Sequence, residues 1–332
     1  MTVRQATHAG SWYSGDPKTL QSQIQALILA AQKSGNVAAN KTVNGARVLV
    51  GPHAGYTYSG ERLGEAFNAW DTSTVKRVFL LGPSHHVYFK DKALLSPFDF
   101  YETPLGDIPV DKETINDLLK KKFKKKHGQP VFKLMSEEID EDEHSFEMHA
   151  PFIYHQGKNS KHGVPKIIPI LISGMDLELS NELVDALYPY IQDEENHFII
   201  SSDFCHWGSR FGYTKVLANR DATLDSLETD IHSLRYSLGS QDIPVYQSIE
   251  MLDRMALQIA SKGSASEWRE YIRVSGNTIC GQKPIAVMLQ LLEQYGLKEG
   301  GDVFKWIGYS QSNHAKSPKD SSVSYAAGYV KL

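Results

Sequence analysis

The sequence predicts an α/β fold: a single domain with a mostly parallel central sheet flanked by helices. Three observations carry this. Short apolar runs of strand length alternate with amphipathic segments of helical period, the pattern of a helix-covered parallel sheet. Several of the apolar runs end in an abrupt Gly- or Ser-led polar cluster. No Gly/Ser/Pro-rich linker interrupts the 332 residues, and nothing repeats over 20–50 residues, so one domain spanning 1–332 is expected rather than two.

Taken in order, Asp16-Pro17 reads as an N-cap with proline at the first helical position. Leu20, Ile24, Leu27, Ile28 and Ala31 then recur at helical spacing until Gly35. Ala46–Val50 reads as a strand that ends in Gly51-Pro52-His53, and 60–70 as a helix. Arg77–Leu81 is a second strand, ending in Gly82-Pro83-Ser84-His85-His86. Further strands are expected at 166–172, 197–201, 304–309 and 322–330, with helices at 179–191, 244–260 and 284–295. The stretch 210–242 is polar and weakly periodic, and reads as a surface insertion. Two charge runs, six lysines in 120–126 and six acids in 137–143, read as a solvated helix end and loop that cancel locally.

Composition bounds the function. Hydrophobic residues at 41% and charged residues at 22% allow a sizeable core and exclude global disorder. A net charge of −4 gives no argument for nucleic acid or an anionic membrane as partner. No apolar run approaches the ~20 residues of a membrane span, and no signal-peptide pattern follows Met1. Two cysteines in so long a chain make no disulfide framework. A soluble protein of a reducing compartment is expected, cytoplasmic with the nucleus as a second location.

In open α/β sheets functional residues gather beyond the carboxyl ends of the strands. His53, the pair His85 and His86, and then Asp203 and His206 all follow predicted strands. Cys280 stands just before a helix, where the positive end of the macrodipole favours a thiolate. A thiolate with two imidazoles suits zinc, copper or iron, and binding is expected to weaken as pH falls through the imidazole range. Asp142-Glu143-His144 can hydrogen-bond a neighbouring ligand. Trp12, Tyr13, Tyr56, Tyr58 and Trp207 are aromatic residues available to a pocket. The chain lacks His-Glu-x-x-His, Cys-x-x-Cys, a P-loop, a dinucleotide fingerprint and Gly-x-Ser-x-Gly. His144 and His149 stand five apart and do not share a helix face as an i, i+4 pair would.

Five ordered stretches resemble the Memo (mediator of cell motility) family: His8-Ala-Gly-Ser-Trp-Tyr13, Pro52-His-Ala-Gly-Tyr-Thr-Tyr58, Gly82-Pro-Ser-His-His86, Ser202-Asp-Phe-Cys-His-Trp-Gly208 and Asn277-Thr-Ile-Cys-Gly281. Asp140-Glu-Asp-Glu-His-Ser145 and Asp320-Ser-Ser-Val-Ser-Tyr-Ala-Ala-Gly328 add to them. The resemblance implies a fold similar to LigB-type extradiol dioxygenases and a copper or iron ion held by His53, His85 and Cys280. Asp203 and His206 would then act on a bound small molecule, with His86, Tyr56, Glu143, His144 and Trp207 lining the pocket or supporting its ligands. A redox role tied to signalling and cell motility, with signalling proteins as partners, is the implied function. A scaffold binding a peptide or phospho-ligand is the alternative, and an extradiol-type dioxygenase a further one. Cys280, standing where those dioxygenases carry a carboxylate, argues against ring cleavage.

Overall fold

Four strands form the centre of the molecule: Ala46–Gly51, Asn196–Ser201, Arg77–Pro83 and Lys166–Ile172, adjacent in that order and all parallel. The computed structural model describes every residue except 35–39, 127, 235–242 and 298–301. Nearly every residue of these strands is buried, so both faces are covered, as continuous apolar runs require. Their register is level: Val48 and Phe79 both pair with Phe198, and Ile168 continues the row. Phe79 and Phe198 stack across it at 4.9 Å. Because the row is level, Gly51, Ser201 and Pro83 end their strands side by side, and whatever follows them emerges at one edge.

Antiparallel and short strands complete a nine-stranded sheet among the described residues. Ser322–Lys331 pairs antiparallel with Ala46–Gly51, with Lys305–Gln311 and with the two-residue strand His206–Trp207. At the far side Ala93–Leu95 and Phe132–Leu134 follow Lys166–Ile172. The sequence pattern passes over these last two because three residues cannot establish a period of two.

Helix Pro17–Lys33 starts as expected, Asp16 accepting the Thr19 N–H at 2.8 Å. It buries Leu20, Ile24, Ile28 and Ala31; the stop expected at Gly35 lies outside the described residues. Helix Tyr56–Ala69 begins four residues before the expected Gly60. Gly60 and Gly64 are not its start but its contact with the first helix: a Cβ at Gly64 would lie 2.7 Å from the Leu27 carbonyl oxygen. Helices Leu177–Ile191, Val245–Lys262 and Gln282–Tyr295 fall within two residues of expectation. Ala265–Ser275, which buries Trp268 and Tyr271, was not anticipated.

Two expectations change. The 210–242 stretch is not wholly surface: Tyr213, Val216, Leu217 and Leu227 are buried, and Lys215–Leu217 pairs with Ile231–Ser233; 235–242 lies outside the described residues. The charge runs do not cancel each other. Lys124 pairs with Asp185 and Lys126 with Asp91, Asp176 and Glu178, whereas Asp140 and Glu143 of the acidic run are buried. Burying a carboxylate is unfavourable unless it is paired, and both have partners that matter below.

Candidate metal centre

The level strand ends deliver His53, Asp203 and His85 to one place, and the loop before helix Gln282–Tyr295 adds Cys280. The His53 backbone N–H donates to Asp203 Oδ1 at 2.8 Å, its Nδ1 lies 2.7 Å from Ser201 Oγ, and its Nε2 lies 3.2 Å from Cys280 Sγ. Cys280 Sγ also accepts the Asp203 N–H at 3.2 Å. Gly281 permits this approach, since a Cβ there would come within 2.3 Å of Ser202 Cβ.

His85 is held by Glu143. The carboxylate accepts the His85 backbone N–H at 2.8 Å, its Nδ1–H at 2.7 Å and the Ser145 N–H at 3.0 Å. With Nδ1 committed to an acceptor, Nε2 is the nitrogen left with a lone pair. His206 is pinned likewise: its Nδ1 faces two carbonyl oxygens, Phe204 at 2.9 Å and Thr278 at 3.1 Å.

His144 joins the group, its ring 4.2 Å from His85 and 5.3 Å from His53. One ligand atom each of His53, His85 and His144 lie within 4.8 Å of one another, so this three-histidine group can hold a metal ion. His144 therefore stands beside His85 in the cluster rather than behind it, as the sequence had it.

Electrostatics keep His53 and His144 neutral. Burial lowers the His53 pKa well below the usual imidazole value, aided by His85 and His144. Burial and His85 bring His144 down to about 3. Burial alone would raise Glu143, but the hydrogen bonds and charge of His85 and the charge of His144 hold it at about 2. Cys280 departs from expectation: burial, with the Asp203 carboxylate, pushes its thiol up, outweighing the helix terminus and its N–H donors. Burial also raises Asp203.

Other expected site residues are placed apart. His86 is exposed, its ring 6.1 Å from His144. Tyr56 is buried, stacks on Tyr13 and donates its hydroxyl to the Met148 carbonyl. Trp207 is fully buried, its Nε1–H spent on the Lys215 carbonyl, in a small core cluster with Cys205 and Tyr213. These two aromatic residues pack the interior.

The N-terminal segment forms a wall that spacing alone does not predict. Trp12 packs 4.8 Å from His144 and against His8. Beneath them Glu147 accepts from Arg4, His8 and Tyr13, and Arg4 also pairs with Asp140 at 3.2 Å.

Comparison with known proteins places this architecture. Residues 4–329 match the model of the Memo-like protein family. A MEMO1 family protein of Saccharomyces cerevisiae is 38% identical, with 100% of both chains covered. A MEMO1 family protein of Schizosaccharomyces pombe is also 38% identical, covering 98% of this chain and 97% of the relative. Protein MEMO1 of Xenopus laevis is 37% identical over 98% of this chain and 96% of its own. Over nearly its whole length, therefore, the chain belongs to the Memo-like protein family.

Proposed function

We propose that the chain is a metal-binding redox protein whose centre takes copper or ferrous iron on His53, His85 and Cys280, with His144 alongside. The observation that supports this reading best is the three-imidazole group of His53, His85 and His144, one member of which, His53, has its Nε2 3.2 Å from Cys280 Sγ. The donor set fits: His85 presents Nε2 because Glu143 occupies Nδ1, and a sulfur with imidazole nitrogens suits the softer, redox-active ions. A bound copper or iron ion would supply one-electron redox capacity.

The chain's own residues do the rest. Glu143 orients His85, and Asp203 positions Cys280 and His53 through its N–H and carboxylate. Cys280 must give up its proton to serve as a ligand. His206, with Nδ1 fixed on carbonyls, keeps Nε2 able to take a proton from a small molecule. Trp12, 37% exposed beside His144, offers a face on which a small molecule or peptide can stack.

Competition titrations of the metal-free protein with copper(I) and, without oxygen, iron(II) test the reading. Cys280→Ser and His53→Ala should each bind at least about tenfold more weakly than the native chain, since each deletes a direct ligand where even supporting residues are worth that much. Unchanged affinity in both variants would overturn it.

A further inference from the structure

We propose that Ser201 is a positioning residue that fixes the tautomer of His53, leaving Nε2 as the bare nitrogen facing the centre. The Ser201 hydroxyl has three partners: the Ser145 carbonyl oxygen at 2.7 Å, His53 Nδ1 at 2.7 Å and His149 Nε2 at 3.0 Å. A hydroxyl has one proton to donate and two lone pairs to accept with. The carbonyl can only accept, so the Ser201 proton goes there. Both imidazole nitrogens must then donate: His53 carries its hydrogen on Nδ1 and His149 on Nε2.

The environment leaves little room for another arrangement. Ser201, His53 and His149 are each at most 1% exposed, so water does not compete for these atoms. His149 Nδ1 is buried with no hydrogen-bonding partner in the protein, which suits a bare nitrogen better than an orphaned N–H. A bare His53 Nε2 is in turn what allows the thiol of Cys280, 3.2 Å away, to point its proton at that nitrogen. His85 is fixed in the same tautomer by a carboxylate and His206 by carbonyls; at His53 an ambivalent hydroxyl does the same because His149 and Ser145 saturate it. Ser201 closes its strand in register with Gly51, two residues before His53, so the sheet itself delivers the contact.

The consequence for metal affinity rests on the proposed metal centre; the tautomer does not. Long-range proton–nitrogen NMR of the metal-free protein, with isotope-labelled histidine rings, reads it directly, the His53 signal being assigned by its loss in His53→Gln. The native protein and Ser201→Thr should show His53 protonated on Nδ1 with Nε2 unprotonated. In Ser201→Ala the Nε2–H form should appear, and copper(I) affinity should fall about tenfold to a hundredfold, the usual effect of removing a ligand's supporting partner. A native His53 protonated on Nε2, or an unchanged tautomer in folded Ser201→Ala, would overturn the proposal. If Ser201→Ala does not fold, the native and Ser201→Thr spectra decide it. A native Nδ1–H form in a protein that binds no metal would support the role of Ser201 and refute the metal reading alone.

Discussion

Glu143→Gln should destabilise the protein at neutral pH and leave it little changed near pH 2. The carboxylate is 1% exposed and accepts three N–H groups, two from His85 and one from Ser145. A glutamine has one carbonyl oxygen to offer and turns an NH2 group toward a remaining donor, so at least one of these N–H groups loses its partner. Glu143 sits at about 2 against an ordinary 4.5, and at 1.36 kcal/mol per unit this shift amounts to about 3 kcal/mol. The sign follows from the direction. A carboxyl held below its ordinary value contributes stability that is complete above pH 4.5 and is lost as pH falls toward 2. Urea unfolding of the native chain and Glu143→Gln at a series of pH values measures this. The gap should be about 3 kcal/mol at pH 7 and should close through the window from 4.5 to 2. Equal stability at pH 7, or a gap that does not change with pH, would refute the argument.

Other perturbations have equally definite outcomes. Arg4→Met removes a fully buried guanidinium from Asp140 and Glu147; the two uncompensated carboxylates should cost about 3–5 kcal/mol in urea unfolding, and a loss under ~1 would contradict the role given to that pair. Gly281→Ala places a Cβ 2.3 Å from Ser202 Cβ and 2.7 Å from the Ser201 carbonyl oxygen. It should lose about 1–3 kcal/mol in the same assay and weaken metal binding by displacing Cys280. Because burial pushes the Cys280 thiol up, copper(I) affinity should rise about tenfold per pH unit through neutrality as that proton is released. Cys280→Ser should flatten the slope; a slope that persists would assign the proton to another group. Burial lowers His53 and His144, so these two rings have no proton to release near neutrality and add nothing to that slope.

The site was readable in the sequence where local signals coincide with topology. His53, His85 and Asp203 each follow a buried strand, and the strand ends are level, so proximity along the chain predicted proximity in space. Cys280 announced itself through the helix that follows it. His144 was harder, because it follows a six-residue helix, Glu137–Asp142, too short to show a period. Arg4, His8 and Trp12 reach the site through contacts with residues more than 130 positions away, which no local pattern encodes. Tyr56 and Trp207 stand in site-like motifs yet are buried, their polar atoms bonded to backbone carbonyls; the motif gives position along the chain, and packing decides which way the ring turns. Ser201 carried no signal beyond closing a strand, since the capacity of its hydroxyl matters only once three partners surround it.

X-ray absorption at the metal edge of the copper(I)-loaded protein, recorded beside Cys280→Ser, tests the central claim most directly. One sulfur and at least two imidazole nitrogens should surround the metal, with the sulfur contribution lost in the variant. A native spectrum without sulfur, or one that Cys280→Ser leaves unchanged, would contradict it.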